Sequence, residues 1–329
     1  MLKEPQMSVV IVSYNTRALL RKCLFNLRYV ASGLDYETIL VDNDSRDGSA
    51  EMVAREFPSV KLIRVGSNLG FAAANNLAFA RARGRYVVLL NSDAFPQPGS
   101  LRKAIELMEA NPQAGLGGAR LTGTDGSWQP SARSFPSPLN DFLALSGLAA
   151  KFPKSKFFGR ADRTWADPNE SGEVDWVPGA FSIIRRDLLE RIGYFDENYF
   201  LYYEEVDLCQ RIKRAGYQVW YWPEIVVVHL GGESSKTVSR LKLSSSGTQL
   251  VLWRMRSGLL YYRRHHGALG ALLALKIEDL WHRLRAWKNS VRPGDDRVAK
   301  AEESQTIVAL LQQAWRETQR GAVSPARPW

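Results

Sequence analysis

YETILVDND (Tyr36–Asp44) and YVVLLNSD (Tyr86–Asp93) are two short apolar runs that each stop abruptly at Asn and Asp. Their length, their aliphatic content and the sudden polar end read as buried β-strands. In an open α/β sheet, ligands bind in the crevice outside the carboxyl ends of the strands. Two acidic strand ends about fifty residues apart therefore point to a site for a cationic or hydrogen-bond-donating ligand. A nucleotide carried with a divalent metal meets that description.

The pattern on either side supports the strand reading. Ser8–Ser13 (SVVIVS) is a continuous β-branched run, as expected of a strand buried on both faces. Thr16–Val30 follows with Leu19, Leu20, Cys23, Leu24, Leu27 and Val30 at helical spacing. Further strands are expected at Tyr36–Val41, Val60–Val65 and Tyr86–Leu90, and helices at Ser45–Phe57, Ala72–Ala82 and Pro98–Glu109. Strands alternating with helices of this length imply βαβ units and an α/β fold with a mainly parallel sheet. Right-handed crossovers bring the strand C-termini to one edge.

From Gly115 to Asn169 the sequence is rich in Gly, Ser and Pro, and loops are expected there with one helix near Leu139–Ala150. Val174–Arg185 reads as a strand interrupted at Pro178-Gly179. Helices are expected from Leu188 to Arg191 and from Val206 to Ala215, and strands at Tyr217–Trp222 and Ile225–His229. After Gly231-Gly232 the chain is amphipathic and helical to about Trp315, with a break at Pro293-Gly294. The end, with Pro325 and Pro328, reads as disordered.

The net charge of +10 is unevenly placed. Residues 236–329 hold 17 basic and 7 acidic side chains, which accounts for all of it, whereas residues 1–235 are balanced. The basic stretch is mixed with Trp253, Tyr261, Tyr262, Trp281 and Trp287, a combination suited to an anionic membrane surface rather than nucleic acid. A solvated helical surface is the plainer alternative. The two cysteines, Cys23 and Cys209, lie in apolar helical patterns and read as buried free thiols in a reducing setting. Met1–Met7 carries Lys3, Glu4 and Pro5, so no signal peptide is expected. The longest apolar run, Gly267–Leu275, is far short of the ~18 residues that a membrane span requires. The expected location is the cytoplasm, peripheral to the inner membrane.

Five groups of residues could carry chemistry. Asp42 ends its strand and can accept a hydrogen bond from a base or ribose, while Asp44 or Ser45 can cap the following helix. Gly66–Gly70, with Asn68, forms a turn into a helix N-terminus, which favours phosphate. Asn91, Ser92 and Asp93 end the fourth strand, where Asp93 can ligate Mg²⁺ or Mn²⁺ once a diphosphate completes the coordination. Glu204, Glu205 and Asp207 begin a helix after an aromatic stretch. They either complement the helix dipole or, partly buried, supply a general base. His229 ends an apolar strand before Gly231-Gly232. The remaining histidines, His265, His266 and His282, show no ligand spacing.

Taken in order, VVIVSYN, VDNDS, NLGFAAANN, LLNSDA, VPGAFSIIRR, GYFDENYFLYYEEVDLCQRI and VVVHLGG resemble the inverting family 2 glycosyltransferases. The closest likeness is to their bacterial rhamnosyltransferase-like branch, from about Val9 to Ser234. The resemblance implies a GT-A fold at residues 1–235, with a nucleotide-sugar half at 1–110 and an acceptor half at 111–235, followed by the helical extension 236–329. It assigns Asp42 to the base or ribose, with Ser13, Tyr14 and Asn15 beside it. It makes Asp93 the metal-binding residue of a DxD-like motif whose first position is Asn91, and His229 a second metal ligand. It puts the base on Glu205, a Glu where the family usually has Asp, with Glu204 as rival. Arg211 would reach the diphosphate, and Trp176, Gly179 and Ala180 would line the acceptor cleft. The implied reaction transfers a sugar from a nucleoside diphosphate donor, dTDP-rhamnose first and UDP- or GDP-sugars second. The implied acceptor is a glycan or polyprenyl-linked glycan in cell-surface polysaccharide synthesis. A sugar-nucleotide-forming nucleotidyltransferase would carry a Gly- and Lys-rich loop that IVSYNTRALL lacks. A non-catalytic nucleotide-sugar-binding scaffold stays open, as does a homodimer.

Overall fold

The structure, a computed structural model, describes residues 4–231, 247–291 and 294–326. Gly232, Pro293, Pro328 and the expected boundary at residue 235 lie outside the described residues. The first half runs β1 (Met7–Ser13), α1 (Arg17–Val30), β2 (Tyr36–Asp42), α2 (Ser49–Glu56), β3 (Lys61–Arg64), α3 (Phe71–Phe79), β4 (Tyr86–Leu90), β5 (Ala94–Pro96) and α4 (Ser100–Ala110). The second half continues β6 (Ala114–Thr122), β7 (Trp128–Gln129), α5 (Pro138–Leu145), α6 (Leu148–Lys151), β8 (Gly172–Val174), β9 (Phe181–Arg185), α7 (Arg186–Ile192), α8 (Glu204–Arg214) and β10 (Gln218–His229). Two helices close the chain, α9 (Gly247–Ser290) and α10 (Asp295–Glu317).

One sheet organises the molecule, in the order β3-β2-β1-β4-β9-β6-β10-β5. The first four strands are parallel, as expected, with Ser13 opposite Asp42 at the carboxyl ends. Beyond β4 the sheet is mixed: β9 runs antiparallel to both β4 and β6, and β6 and β10 are parallel. Alternate residues of each strand feed opposite layers. Val9 and Ile11 pack with Leu20, Leu24 and Leu27 of α1, whereas Val10, Ile39 and Leu89 pack with Ala74 and Ala78 of α3. Each such fully buried aliphatic side chain contributes roughly 2 kcal/mol.

The structure differs from the sequence reading in three places. Ala114–Thr122 is a nine-residue central strand, where loop was expected. Its glycines are there for space: a Cβ at Gly117 would overlap the Trp222 ring, and one at Gly118 would sit 2.6 Å from Val177. Val174–Arg185 is not one strand, because Pro178-Gly179 separates β8, paired with β10, from β9, paired with β4. The strands at Tyr217–Trp222 and Ile225–His229 are one strand with a register shift between Trp222 and Val226.

Helix α9 breaks at Gly267, which adopts φ 69° and ψ −174°. Its first half packs on the sheet domain. Tyr261, Tyr262 and Ala271 share a core with Tyr199 and Val206. Trp253, Tyr261 and Tyr262 are buried, so these three aromatics of the basic tail serve packing, not an external surface. No helix among the described residues is long and apolar enough to cross a membrane.

Candidate active site

The carboxyl ends of β1, β2 and β4 open on a cavity of about 330 Å³. Its walls include Tyr14, Asn43, Asn68, Asn91, Ser92, Asp93, Gly179, Ala180, Glu204, Glu205 and His229, together with Phe71, Phe200, Tyr202 and Trp253. Strand-end polar groups from the first half of the chain thus face a carboxylate pair and aromatic rings from the second.

The Asn91–Asp93 corner is held from both sides. Asn91 N–H donates to the Ala180 carbonyl at 3.0 Å, and Leu230 N–H donates to the Asp93 carbonyl at 3.1 Å. These bonds bring His229 Nε2 to 3.4 Å from Asp93 Oδ1. The other ring nitrogen, Nδ1, lies 3.2 Å from Gln129 Oε1, while Gln129 Nε2 donates to the His229 carbonyl at 2.8 Å. An amide oxygen can only accept, so Nδ1 donates to Gln129, and Nε2 is the ring nitrogen turned toward the Asp93 carboxylate. Nε2 is buried and has no hydrogen-bond partner. A carboxylate oxygen and an imidazole nitrogen at this distance could share a cation, and an imidazole oriented through its second nitrogen is the usual arrangement at a metal. Among the described residues no group of three or more His, Cys, Asp or Glu could hold a metal ion. A divalent ion here would draw its remaining ligands from phosphate oxygens and water.

Asn43 and Asn68 join the end of β2 to the turn before α3. Asn43 Nδ2 donates to Asn68 Oδ1 at 2.8 Å, and Asn43 Oδ1 accepts from Leu69 N–H at 2.9 Å. Gly70, at φ 82°, lets the Phe200 carbonyl accept from Phe71 N–H at 2.8 Å; a Cβ at Gly70 would collide with that carbonyl and with the Phe200 ring. Asp42 is buried just outside the cavity wall. Its Oδ2 accepts from Ser45 N–H at 3.1 Å, while Oδ1 is buried without a partner. Burial holds its carboxyl above the usual range, against the bonds from Ser45.

Glu204 and Glu205 owe their position to strained backbone. Tyr202 and Tyr203 both adopt positive φ, 69° and 71°, immediately before α8. This conformation is costly for bulky residues and persists where the surroundings impose it. Here the surroundings are α9: Ser257 Oγ donates to the Leu201 carbonyl at 2.8 Å, and the Tyr203 ring packs on Tyr261. The turn leaves the two carboxyls within hydrogen-bonding reach of each other, each with a buried, unpartnered Oε2. Burial pushes both above the ordinary range. Glu204 moves further, because the charge of Glu205 adds to the effect. Glu205 is drawn back toward ionisation by its hydrogen bonds and by the charge of Arg133. Of the two carboxyls, Glu204 is thus held more strongly toward its protonated form, and Glu205 is the one drawn back toward ionisation.

Several expected site residues lie elsewhere. Arg211 does not reach the cavity: its Nε pairs with Asp207 Oδ2 at 2.8 Å, and its other nitrogens donate to the carbonyls of Ile192, Gly193 and Tyr194. Asp207 is turned away as well, its Oδ1 lying 2.8 Å from His265 Nε2. Trp176 is not in the cavity wall; its Nε1 donates to the Ser134 carbonyl and its ring carries the Arg133 guanidinium at 5.1 Å. Ser13 stands one layer behind, linked through Thr16 Oγ1 to Ser92 Oγ by contacts of 3.0 and 3.1 Å. Asn15 ties the β1 and β2 loops together, accepting from Arg46 N–H at 2.7 Å. Phe71, Phe200, Trp253 and Gln129 were not among the expected site residues. Trp253 comes from the helical extension and stacks on Phe200 with centroids 4.5 Å apart.

The sequence and the fold are similar to those of known proteins. Residues 8–193, more than half of the chain, match the family described as glycosyl transferase family 2. An N-acetylglucosaminyl-diphospho-decaprenol L-rhamnosyltransferase of Mycobacterium tuberculosis is 29% identical over 263 residues, covering 76% of this chain and 85% of that protein. The rhamnosyltransferase WbbL of Escherichia coli is 25% identical over 268 residues, covering 78% and 92%. Among solved structures, the mannosyltransferase PcManGT of Pyrobaculum calidifontis, in complex with GDP-mannose and Mn²⁺, shares the fold. Its TM-score is 0.53 at 18% identity, over 95% of this chain and 88% of that one.

Proposed function

Because the chain belongs to glycosyl transferase family 2, we propose that the cavity performs inverting transfer of rhamnose from dTDP-rhamnose to a polyprenyl-linked glycan. That it is a glycosyltransferase with rhamnosyltransferase relatives follows from the comparisons. The choice of sugar rests on the two rhamnosyltransferases, and the choice of acceptor on the lipid-linked acceptor in the name of the Mycobacterium relative.

The observation that carries the reading is the juxtaposition, in one cavity, of the Asp93–His229 pair and the Glu204–Glu205 pair. Asp93 Oδ1 and His229 Nε2 would hold Mg²⁺ or Mn²⁺, with Gln129 fixing the imidazole. The Mn²⁺ in the PcManGT complex is in keeping with this. When bound, the ion supplies positive charge to offset that of the leaving diphosphate. Tyr14, Asn43 and Asn68 receive the nucleoside, with Asp42 buried behind them. Glu205 takes the proton of the acceptor hydroxyl. The oxygen then attacks the anomeric carbon from the face opposite the diphosphate. The carbon–oxygen bond to phosphate breaks with its electron pair, and one displacement inverts the centre. Glu204 keeps its proton and holds Glu205 in place. Gly179, Ala180, Phe200 and Trp253 shape the wall on the acceptor side.

Calorimetric titration with dTDP, UDP and GDP, with and without Mn²⁺, tests the donor site. Metal-dependent binding of dTDP by the wild type, lost in Asp93→Ala, is the expected result. Binding of UDP or GDP alone would replace the donor, and no nucleotide binding would sink the proposal. Glu205→Gln should keep nucleotide affinity and lose about 10² to 10⁴ in turnover. Full turnover in that variant would remove the assignment of the base.

A further inference from the structure

The second half of α9 carries a row of large apolar side chains that nothing among the described residues covers. Leu269, Leu273, Leu280, Leu284, Trp287 and Val291 are 68%, 46%, 57%, 51%, 68% and 63% exposed. At about 100° of helical rotation per residue they fall within roughly 60° of arc. They form one stripe of about six turns. The opposite side of the same helix is already occupied: Ala271 and Ala274 join the core with Tyr261 and Tyr262, and Leu275 packs with Leu311 and Ala314 of α10. The stripe is thus additional to what folding requires. Isolated exposed leucines are ordinary, but a contiguous row marks an interaction surface.

The charges around the stripe select its partner. Lys276 and Arg283 project within or beside the same arc, and Lys288 flanks it; Lys276 and Lys288 are exposed. Of the two neighbouring acids, Asp279 is paired to Arg283 at 2.8 Å, and Glu278 is half-buried with its carboxyl raised by desolvation. The stripe is therefore apolar with a cationic margin, in a segment that carries the whole +10 of the chain. A second copy of this chain, docked by a two-fold axis, would set Lys and Arg against Lys and Arg. An anionic bilayer supplies the opposite charge, and long basic side chains can reach phosphates while their stems lie on apolar surface.

We infer that the stripe from Leu269 to Val291 lies in the headgroup layer of an anionic membrane, with Lys276 and Lys288 against lipid phosphates. This deepens the proposed function, since it rests on an acceptor carried by a lipid. It also relocates the membrane-facing residues expected from the sequence, because Trp253, Tyr261 and Tyr262 are spent on packing, and the contact surface is instead Leu-rich with Trp287.

Flotation of the full chain on phosphatidylcholine vesicles with and without phosphatidylglycerol tests the inference. Wild type should float only with the anionic vesicles. The double variant Leu280→Glu/Trp287→Glu should lose about tenfold or more of the bound fraction. Lys276→Glu/Lys288→Glu should lose at least about fivefold per residue. Circular dichroism should show both variants folded, because all four positions are exposed. Equal flotation of wild type and the apolar variant would overturn the assignment of the stripe, and no flotation of wild type would overturn the membrane. A wild-type dimer that the apolar variant converts to a monomer would assign the stripe to a second copy instead. Transfer to a soluble acceptor analogue, measured in parallel, should be unchanged in both variants. Failure of that transfer in wild type would fall on the proposed function, not on the stripe.

Discussion

Replacing Glu204 by Ala should move the acid limb of the pH–rate profile upward by about one to two pH units, while Glu204→Gln should leave it in place. Both carboxyls are raised by burial, and Glu205 is drawn back toward ionisation by several hydrogen bonds, among them the one from Glu204. A hydrogen bond to a charged acceptor is worth about 1.5–3 kcal/mol, and one pH unit corresponds to about 1.4 kcal/mol. With the shared proton on Glu204, its removal relieves no repulsion and only withdraws a donor. Ala withdraws it, and Gln replaces O–H with N–H at the same place. The base must be ionised to act, so a raised Glu205 means less activity at any pH below the new limb and a recovered plateau above it. The measurement is kcat/KM for transfer between pH 5 and 9 for wild type and both variants, with the two apparent pKa values assigned to the pair. If Glu204→Ala leaves the limb unmoved, Glu204 does not hold its proton on Glu205. If Glu204→Gln abolishes transfer at every pH while Glu205→Gln does not, the roles are reversed.

Gln129→Leu should weaken Mn²⁺-dependent nucleotide binding by about 10- to 100-fold without changing metal-free binding, because the imidazole loses the acceptor that fixes its tautomer; titration calorimetry of both decides. Gly70→Ala should cost about 2 kcal/mol or more, since Gly70 sits at φ 82° against Phe200, and should lower turnover along with Tm as the 200–205 segment shifts. Asp207→Asn removes the buried partner of Arg211 and His265 and should cost about 3 kcal/mol at neutral pH. Burial raises the Asp207 carboxyl, but its bonds to His265 and Arg211 bring it below the ordinary range. A depressed acid contributes stability above its unfolded pKa and loses it as pH falls through the folded value. The stability gap between wild type and Asp207→Asn, read from urea unfolding, should therefore close below about pH 4.

The sequence is most legible where one residue type has one reason to stand where it does. Asp42 and Asp93 follow uninterrupted apolar runs, and no packing argument needs a carboxylate there, so the strand ends and the crevice could be read together. Gly115, Gly117 and Gly118 have two possible reasons. Glycine in a run reads as loop, yet here it makes room in a central strand for Leu188, Trp222 and Val177, which come from elsewhere in the chain. Direction is the other obstacle. The family resemblance implies site roles for Arg211 and Trp176, but which way each points is set by tertiary partners, the Asp207 carboxylate in one case and the Ser134 carbonyl in the other. Trp253 follows the same logic in reverse: an aromatic in a basic helix reads as surface until Phe200 is known to lie against it.

The extension appears in the sequence as a separate basic tail, but its first half packs against the segment that carries the proposed base. Ser257 holds the Leu201 carbonyl, Tyr261 backs Tyr203, and His265 with Arg264 reaches Asp207 on the far side of α8. These contacts bracket the two positive-φ tyrosines and the two glutamates that follow them. The strain at Tyr202 and Tyr203 is sustained from outside the sheet domain, and the helix that sustains it continues, past the break at Gly267, into the exposed apolar stripe. One element therefore carries both the support of the carboxylate pair and the surface proposed for the bilayer. Where the acceptor is carried on a lipid, the proposed base and the proposed membrane surface are linked through α9 across its break at Gly267.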